Sequence, residues 1–209
     1  MESRKSPDLH QLPANLPVPV DDGACDHLPG SRVPAVRLSS TSGRWVDLVE
    51  ISDRPTVLFF YPRTGEAGRS AGPEWDAIPG ARGCTPQSCG FRDLHREFVA
   101  LGVTVFGVGT QETAYQQEFV ERNHVPFEML SDCDLALTRA LRLPTFEYAA
   151  TRGGPPTLIK RMAWYVERGC IERIWYPVFP PDRNAETVLG WLRERGRLLS
   201  IDRGEVRLT

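Results

Sequence analysis

The alternation of apolar and polar residues in the first third of the chain predicts a β-hairpin that leads into a buried strand. Short alternating stretches at residues 33–38 and 45–49 are separated by SSTSGR, a polar segment that is typical of a turn. The apolar run of residues 56–61 that follows is typical of a central strand covered on both faces. Residues 62–83 are irregular and rich in Gly and Pro, and a connection of this length is either functional or mobile.

From Pro86 onward, apolar residues recur at spacings of three and four, which indicates a helix that ends at Gly102. The later pattern predicts a strand at 103–108, helices at 112–123 and 134–141, a hairpin of strands 158–166 and 171–176, and a helix at 184–195. The inner face of that last helix is predicted to consist of Ala185, Val188, Leu189 and Leu192. This order of elements predicts an α/β thioredoxin-like fold, with a central mixed β-sheet flanked by helices and an N-terminal β-hairpin.

The length of 209 residues suits one domain with a core of its own and leaves little room for a second. Residues 1–30 are rich in proline and show little periodic apolar pattern, so we expect them to follow the surface or to stay mobile. We therefore predict an N-terminal tail at 1–30, a single domain at 31–196 and a C-terminal tail at 197–209.

Composition and charge narrow the range of partners. The net charge of −2 gives no electrostatic reason to expect nucleic acid or an anionic membrane, so we expect a small-molecule or protein partner. The chain contains no apolar run of ~20 residues that would span a membrane, and its opening lacks the apolar stretch of a signal peptide. Five cysteines are too few for a disulfide scaffold, and their odd number would leave one unpaired in a secreted protein. We expect a soluble protein of the cytoplasm.

The candidate chemistry lies in residues 83–93, GCTPQSCGFRD. Thr85 followed by Pro86 predicts a helix start, because Thr caps backbone donors and Pro is tolerated at the first helical position. Cys84 then lies just ahead of the helix, where the exposed N–H groups and the positive end of the dipole favour the nucleophilic thiolate. Cys89 follows five residues later. Two Cα atoms five residues apart in a helix are roughly 8.5 Å apart, beyond the ~7 Å limit for a disulfide, so a bond between them requires the helix start to unwind.

The run GCTPQSCGFRD resembles the active-site segment of the Q-type peroxiredoxins, also called bacterioferritin comigratory proteins. Residues 56–62 resemble the strand that leads into the active site in this family, and residues 129–132 resemble its LSD turn. Lys160 and Arg161, ahead of an apolar strand, resemble the position of its active-site arginine. The similarity spans about residues 31–195.

The resemblance implies that Cys84 is the peroxidatic cysteine and Cys89 the resolving cysteine of the same chain. It also implies that Gln87 is a polar partner of the nucleophile, and that Arg161 steadies the thiolate and the peroxide. The implied activity is the reduction of hydrogen peroxide and organic hydroperoxides, with recycling by thioredoxin or a similar dithiol. The implied enzyme needs no bound cofactor or metal, and it is a monomer or a homodimer.

The chain also departs from the family pattern Pro-x-x-x-Thr/Ser-x-x-Cys. The position three before Cys84 is Ala81, and an apparent insertion separates Pro62 from Cys84. If the insertion loops out after Thr64, that residue could supply the usual hydroxyl, and Pro62 would keep its place as the wall of the active site. Thr64 and Pro62 are therefore candidate site residues.

Simpler interpretations of these residues stay open. Buried cysteines often act only as small hydrophobic side chains, and an arginine before a strand is commonly a surface residue. A zinc site built from Cys25, His27, Cys84 and Cys89 lacks the common C-x2-C spacing. Packing is the default role of the remaining cysteines, which are Cys25, Cys133 and Cys170.

Two other functions remain as alternatives to a peroxidase. One is a thioredoxin-like disulfide oxidoreductase, against which the absence of a C-x2-C motif argues. The other is a non-enzymatic thiol redox sensor built on the same fold. The aromatic and proline-rich residues 176–181 could line either a dimer contact or the wall of the active site.

Overall fold

The computed structural model of the protein describes residues 12–66, 72–149 and 154–202, with side chains to residue 198. The strands are β1 (Arg37–Ser40), β2 (Trp45–Asp47), β3 (Thr56–Phe60), β4 (Thr104–Gly109), β5 (Met129–Ser131), β6 (Thr145–Glu147), β7 (Thr157–Ile159), β8 (Met162–Glu167) and β9 (Cys170–Trp175). The α-helices are α1 (Leu48–Ser52), α2 (Pro73–Asp76), α3 (Cys84–Asp93), α4 (His95–Ala100), α5 (Thr113–Asn123), α6 (Ala136–Leu141) and α7 (Asn184–Asp202). A 3₁₀ turn at Pro181–Arg183 precedes α7.

Seven strands form one mixed sheet in the order β2-β1-β5-β4-β3-β8-β9. Strand β3 pairs in parallel with β4 and antiparallel with β8, and every one of its residues is buried. The hairpin of β1 and β2 joins the edge of the sheet through β5. The predicted central strand, mixed sheet and N-terminal hairpin are therefore confirmed.

The two faces of β3 divide the apolar core, because successive side chains of a strand point to opposite faces. Leu58 and Phe60 belong to one cluster. Phe59 belongs to the other, together with Phe91 of α3. The rings of Phe59 and Phe91 stack with centroids 4.3 Å apart. Burying one such side chain stabilises a fold by about 1.5–3 kcal/mol, so this contact anchors α3 against the central strand.

Other predicted elements agree with the structure in kind and differ at their ends. The predicted inner face of the last helix is confirmed, since all four of its residues are buried. The helix predicted to begin near Pro86 starts two residues earlier, at Cys84, and divides at Leu94 into α3 and α4. Thr85 does not cap it, because Gly83 occupies the cap position and no side chain makes the capping hydrogen bond.

The prediction of a single strand at residues 158–166 is wrong. This stretch forms two strands, and they belong to two different sheets. Strand β7 pairs with β6 in a separate two-stranded sheet, whereas β8 lies beside β3. The Lys160 amide continues the smaller sheet by donating to the Pro144 carbonyl at 2.8 Å. The chain therefore changes sheets at Arg161, which places that side chain at a junction.

Part of the predicted N-terminal tail packs on the sheet. Leu28 and Cys25 are buried in the core. The Asp22 carboxylate accepts hydrogen bonds from Lys160 and from the Tyr176 hydroxyl, each at 2.7 Å. The domain boundaries themselves stay predictions. Within the described parts of the chain, no helix has both the length and the apolar character needed to cross a membrane.

Candidate active site

Cys84 is the first residue of α3, and the conformation of Gly83 puts it there. Gly83 has φ = +107°, which side-chain-bearing residues rarely adopt, and a Cβ atom at this position would overlap Pro181. The backbone N–H of Gln87 donates to the Gly83 carbonyl at 3.0 Å and closes the first turn of α3. Because no side chain caps this end, the positive end of the α3 dipole faces the Cys84 thiol.

Arg161 lies at the junction between β7 and β8, and its side chain contacts Cys84 in the interior of the protein. The guanidinium is buried, and its Nη2 atom lies 3.2 Å from Cys84 Sγ. The same nitrogen donates to the carbonyls of Ala81 at 3.0 Å and Arg82 at 3.2 Å, and Nε donates to the Gly80 carbonyl at 3.2 Å. The segment before Cys84 therefore wraps around the guanidinium and holds it against the sulfur.

In the part of the chain that the structure describes, the Arg161 guanidinium has no carboxylate beside it to balance its charge. Among the described residues, no carboxylate lies within ion-pair distance of the Arg161 guanidinium. A buried cation without a counter-charge costs several kcal/mol, and carbonyl oxygens offset only part of that cost. The Cys84 sulfur is the adjacent group that can become negative. Both the guanidinium and the positive end of the helix dipole therefore lie beside this sulfur.

Gln87 connects Arg161 to the rest of the fold. Its side chain is fully buried, and its Oε1 accepts a hydrogen bond from Arg161 Nη1. Its Nε2 donates to Asn184 Oδ1 at 2.9 Å. The sequence offered no motif for Asn184, which is the first residue of α7. A chain of contacts from Asn184 through Gln87 thus orients the guanidinium beside Cys84.

Cys89 lies further along α3 in a different environment. It is also buried, and burial raises the pKa of its thiol above the ordinary range, although Arg92 partly offsets the effect. It borders a cavity of about 400 Å³ that also contacts Asp182 and Glu186. All five cysteines are thiols in this structure, and Cys84 and Cys89 are both held within the helix.

The chain is similar to a known protein family over most of its length. Residues 28–189 match the family model described as Redoxin. The chain belongs to the redoxin family. The predicted resemblance to the Q-type peroxiredoxins and the predicted thioredoxin-like fold are both confirmed.

The relatives and structural neighbours of this redoxin carry consistent names. A rice protein named putative peroxiredoxin Q, chloroplastic (Oryza sativa subsp. indica) is 28% identical over 156 residues, 74% of this chain and 62% of that protein. The putative peroxiredoxin bcp of Coxiella burnetii is 30% identical over 105 residues, 50% of this chain and 60% of its own. The crystal structure of peroxidoxin BcpB from Mycobacterium tuberculosis superposes with a TM-score of 0.62 and 25% identity, covering 80% of this chain and 97% of that one. The chain spans less than two thirds of the length of the rice relative.

The Thr64 hydroxyl is hydrogen-bonded to Gln111 rather than to Cys84. The Thr64 hydroxyl and amide both donate to Gln111 Oε1, at 3.1 and 2.8 Å, and among the described residues no hydrogen bond joins it to Cys84. Pro62 is buried two residues after the end of β3. At the position three before the cysteine, the Ala81 carbonyl lies 3.6 Å from Cys84 Sγ. The catalytic roles of Thr64 and Pro62 stay predictions.

Two residues of the stretch 62–83 reach the cysteine without having been expected there. Arg63 and Trp75 line a cavity of about 30 Å³ that also contacts Cys84. The Arg63 guanidinium lies over the Trp75 ring, 5.0 Å from its centroid. A tryptophan within a Gly- and Pro-rich connection is the one sequence signal that could have indicated a buried role for this segment.

Cys25 lies away from this site. Cys25 packs against Met162, with the two sulfurs 4.0 Å apart, in the core cluster on the opposite face of the sheet from Cys84. Burial and the carboxylates of the adjacent aspartates raise the pKa of its thiol to about 12. The structure therefore does not assemble the alternative zinc set of Cys25, His27, Cys84 and Cys89, and no cluster of metal ligands occurs in residues 12–66, 72–149 and 154–202.

Proposed function

We propose that this redoxin is a thiol peroxidase in which Cys84 reduces hydroperoxides. One observation carries the proposal: a buried Arg161 guanidinium, without a carboxylate partner among the described residues, lies 3.2 Å from a cysteine at the start of a helix. This arrangement favours a thiolate and places fixed positive charge where a peroxide would bind. The names of the relatives support the same activity.

In the first step the Cys84 thiolate attacks the terminal oxygen of a hydroperoxide. The S–O bond forms as the O–O bond breaks, and the departing alkoxide or hydroxide takes a proton to become an alcohol or water. Arg161 and the amides of the first turn of α3 stabilise the negative charge that moves onto the oxygens. Removing one such preorganised donor typically lowers a rate by about 10²–10³-fold. Cys84 becomes a sulfenic acid.

In the second step the Cys84 sulfenic acid condenses with the Cys89 thiol, and a disulfide forms with loss of water. The helix holds the two Cα atoms roughly 8.5 Å apart, so the first turns of α3 must open before the sulfurs meet. An external dithiol such as thioredoxin then attacks the disulfide and becomes oxidised itself, restoring both thiols. Side chains of this chain and the dithiol account for every electron, so the cycle needs no bound cofactor.

The same proposal covers the setting of the reaction. A cycle that depends on an external dithiol suits a reducing compartment, and we propose the cytoplasm. The partners are then a hydroperoxide and a thioredoxin-like protein, with neither nucleic acid nor a membrane involved. The enzyme would act as a monomer or a homodimer, and both reacting cysteines would belong to one chain.

The deciding experiment is peroxide consumption coupled to thioredoxin, thioredoxin reductase and NADPH, for the wild type and for Cys84→Ser. We expect multiple turnovers from the wild type and none above background from Cys84→Ser. Formation of the Cys84–Cys89 disulfide without turnover on any dithiol would favour a redox sensor. Reduction of insulin disulfides without peroxide consumption would favour a disulfide oxidoreductase.

A further inference from the structure

The cavity that contacts the Cys84 thiol is very small. The space open to the centre of a water-sized group is about 30 Å³. One water needs about 10–15 Å³ of such space, so the cavity holds about two or three water-sized groups beside the sulfur. The lining residues are Arg63, Gly65, Trp75, Arg82, Gly83, Cys84, Thr85 and Pro86. A hydroperoxide that reaches the sulfur must therefore fit its reacting oxygens between Cys84 and these residues.

Trp75 forms the bulkiest part of that lining and is held firmly. It is 3% exposed. Its ring meets Tyr148 edge-on with centroids 4.9 Å apart and lies 6.1 Å from Phe146. The Arg63 guanidinium covers it at 5.0 Å. Contacts with two aromatic rings and one guanidinium hold the indole in place.

Helix α2, which carries Trp75, is also tied to the segment that leads into Cys84. The Asp76 carboxylate pairs with the buried Arg82 guanidinium at 3.3 Å. Arg82 lies two residues before Cys84, and its carbonyl accepts from Arg161. A displacement of α2 would therefore disturb the contacts that position the nucleophile. Trp75 and the Cys84 sulfur are therefore linked through α2 and Arg82.

We propose that Trp75 is a specificity-determining residue that restricts the reaction to peroxides with a small group next to the O–O bond. This inference rests on the proposed peroxidase function. The attacked oxygen lies only two bonds from the first carbon of an organic hydroperoxide, so that carbon lies at the cavity mouth. An unbranched chain can extend outward from it, whereas three substituents on a tertiary carbon meet the indole. Hydrogen peroxide and linear alkyl hydroperoxides are accepted, and tertiary hydroperoxides are largely excluded.

The test measures the second-order rate constant for Cys84 oxidation by rapid quench, with alkylation of unreacted thiol and mass spectrometry. The substrates are hydrogen peroxide, a linear alkyl hydroperoxide and tert-butyl hydroperoxide. The variants are Trp75→Ala and Trp75→Phe, with Trp45→Ala as the matched control, since Trp45 is 60% exposed on the N-terminal hairpin. Wild type should prefer hydrogen peroxide over tert-butyl hydroperoxide by at least about 30-fold, a range typical of steric exclusion from a tight pocket.

Trp75→Ala should lower that preference about tenfold by raising the tert-butyl rate, and Trp75→Phe should lower it by a smaller factor, about threefold. Trp45→Ala should leave it unchanged. Equal wild-type rates for the two peroxides would overturn the inference while leaving the peroxidase intact. An unchanged preference in Trp75→Phe would also overturn it, even if Trp75→Ala fails to fold. A wild type that reacts with none of the peroxides would instead overturn the proposed function.

Discussion

The two cysteines of α3 show how strongly local contacts can separate two chemically identical residues. Cys84 faces the Arg161 guanidinium at 3.2 Å and a cavity of about 30 Å³. Cys89 lies five residues later, near Arg92, and borders a cavity of about 400 Å³. Burial dominates its titration and raises the pKa of its thiol.

The two cysteines share one helix, so their different surroundings, and not their secondary structure, set them apart. Both residues are almost equally buried, so burial alone does not distinguish them. The Arg161 guanidinium 3.2 Å from its sulfur and its place as the first residue of α3 characterise Cys84. The contact with Arg161 therefore separates the proposed nucleophile from the proposed resolving cysteine.

The strongest way to break the comparison is to exchange each sulfur for oxygen. Cys84→Ser should react with hydrogen peroxide at least about 10³-fold more slowly, because a hydroxyl does not ionise near neutral pH. Cys89→Ser should keep the first reaction and accumulate one sulfenic acid, yet lose turnover with thioredoxin. Rapid-quench oxidation and dimedone trapping measure both effects. Equal losses of the first step in both variants would show that the two sulfurs are not distinct.

The next largest effect should come from Arg161→Met, which removes the charge and keeps much of the apolar stem. The rate of Cys84 oxidation should fall about 10²-fold, as for loss of a preorganised donor. Arg161→Lys should recover part of the rate. Thermal unfolding of the same proteins provides the control, because Arg161 also holds three carbonyls. If folded Arg161→Met protein is oxidised at the native rate, the role of this guanidinium is to support the fold and not the reaction.

Oxidation itself sharpens the comparison by forcing the two sulfurs together. We expect peptide mapping to find a Cys84–Cys89 disulfide within one chain. Hydrogen exchange across residues 84–94 should become about tenfold faster or more, because the start of α3 must open. The buried strand β4 should keep its protection and serves as the internal control. Pairing of Cys84 with another cysteine, or unchanged protection of α3, would refute helix opening and leave Cys84 as the nucleophile.

The smallest expected effect is a pH profile for Cys89, measured in Cys84→Ser. Burial penalises its charged thiolate, so its pKa is raised and the reactive form appears only at higher pH. A reference thiol with a pKa of about 8.5 gains only about twofold in alkylation rate between pH 8.5 and 9.5. Cys89 should gain more over the same interval. Peptide-resolved iodoacetamide labelling measures this slope, and a slope no steeper than the reference would contradict the burial argument.

The sequence alone determined the family, the central strand β3 and the pair of cysteines that carry the proposed chemistry. These features depend on local signals: an unbroken apolar run, a helix start and the spacing of two residues. Cys84 needed only its motif to be found. The hairpin of β8 and β9 was predictable for the same reason, since alternation and a Gly-containing turn encode it directly.

Only the tertiary structure decided what surrounds Cys84. The contact with Arg161 joins residues 77 positions apart, and it depends on the change of sheet between β7 and β8. Thr64 was a reasonable candidate by spacing, yet the fold directs its hydroxyl to Gln111. Trp75 reaches the cysteine through contacts with Tyr148, which the chain order does not reveal. Local patterns encode elements, whereas long-range packing decides which side chains meet, and the selectivity of this site depends on that packing.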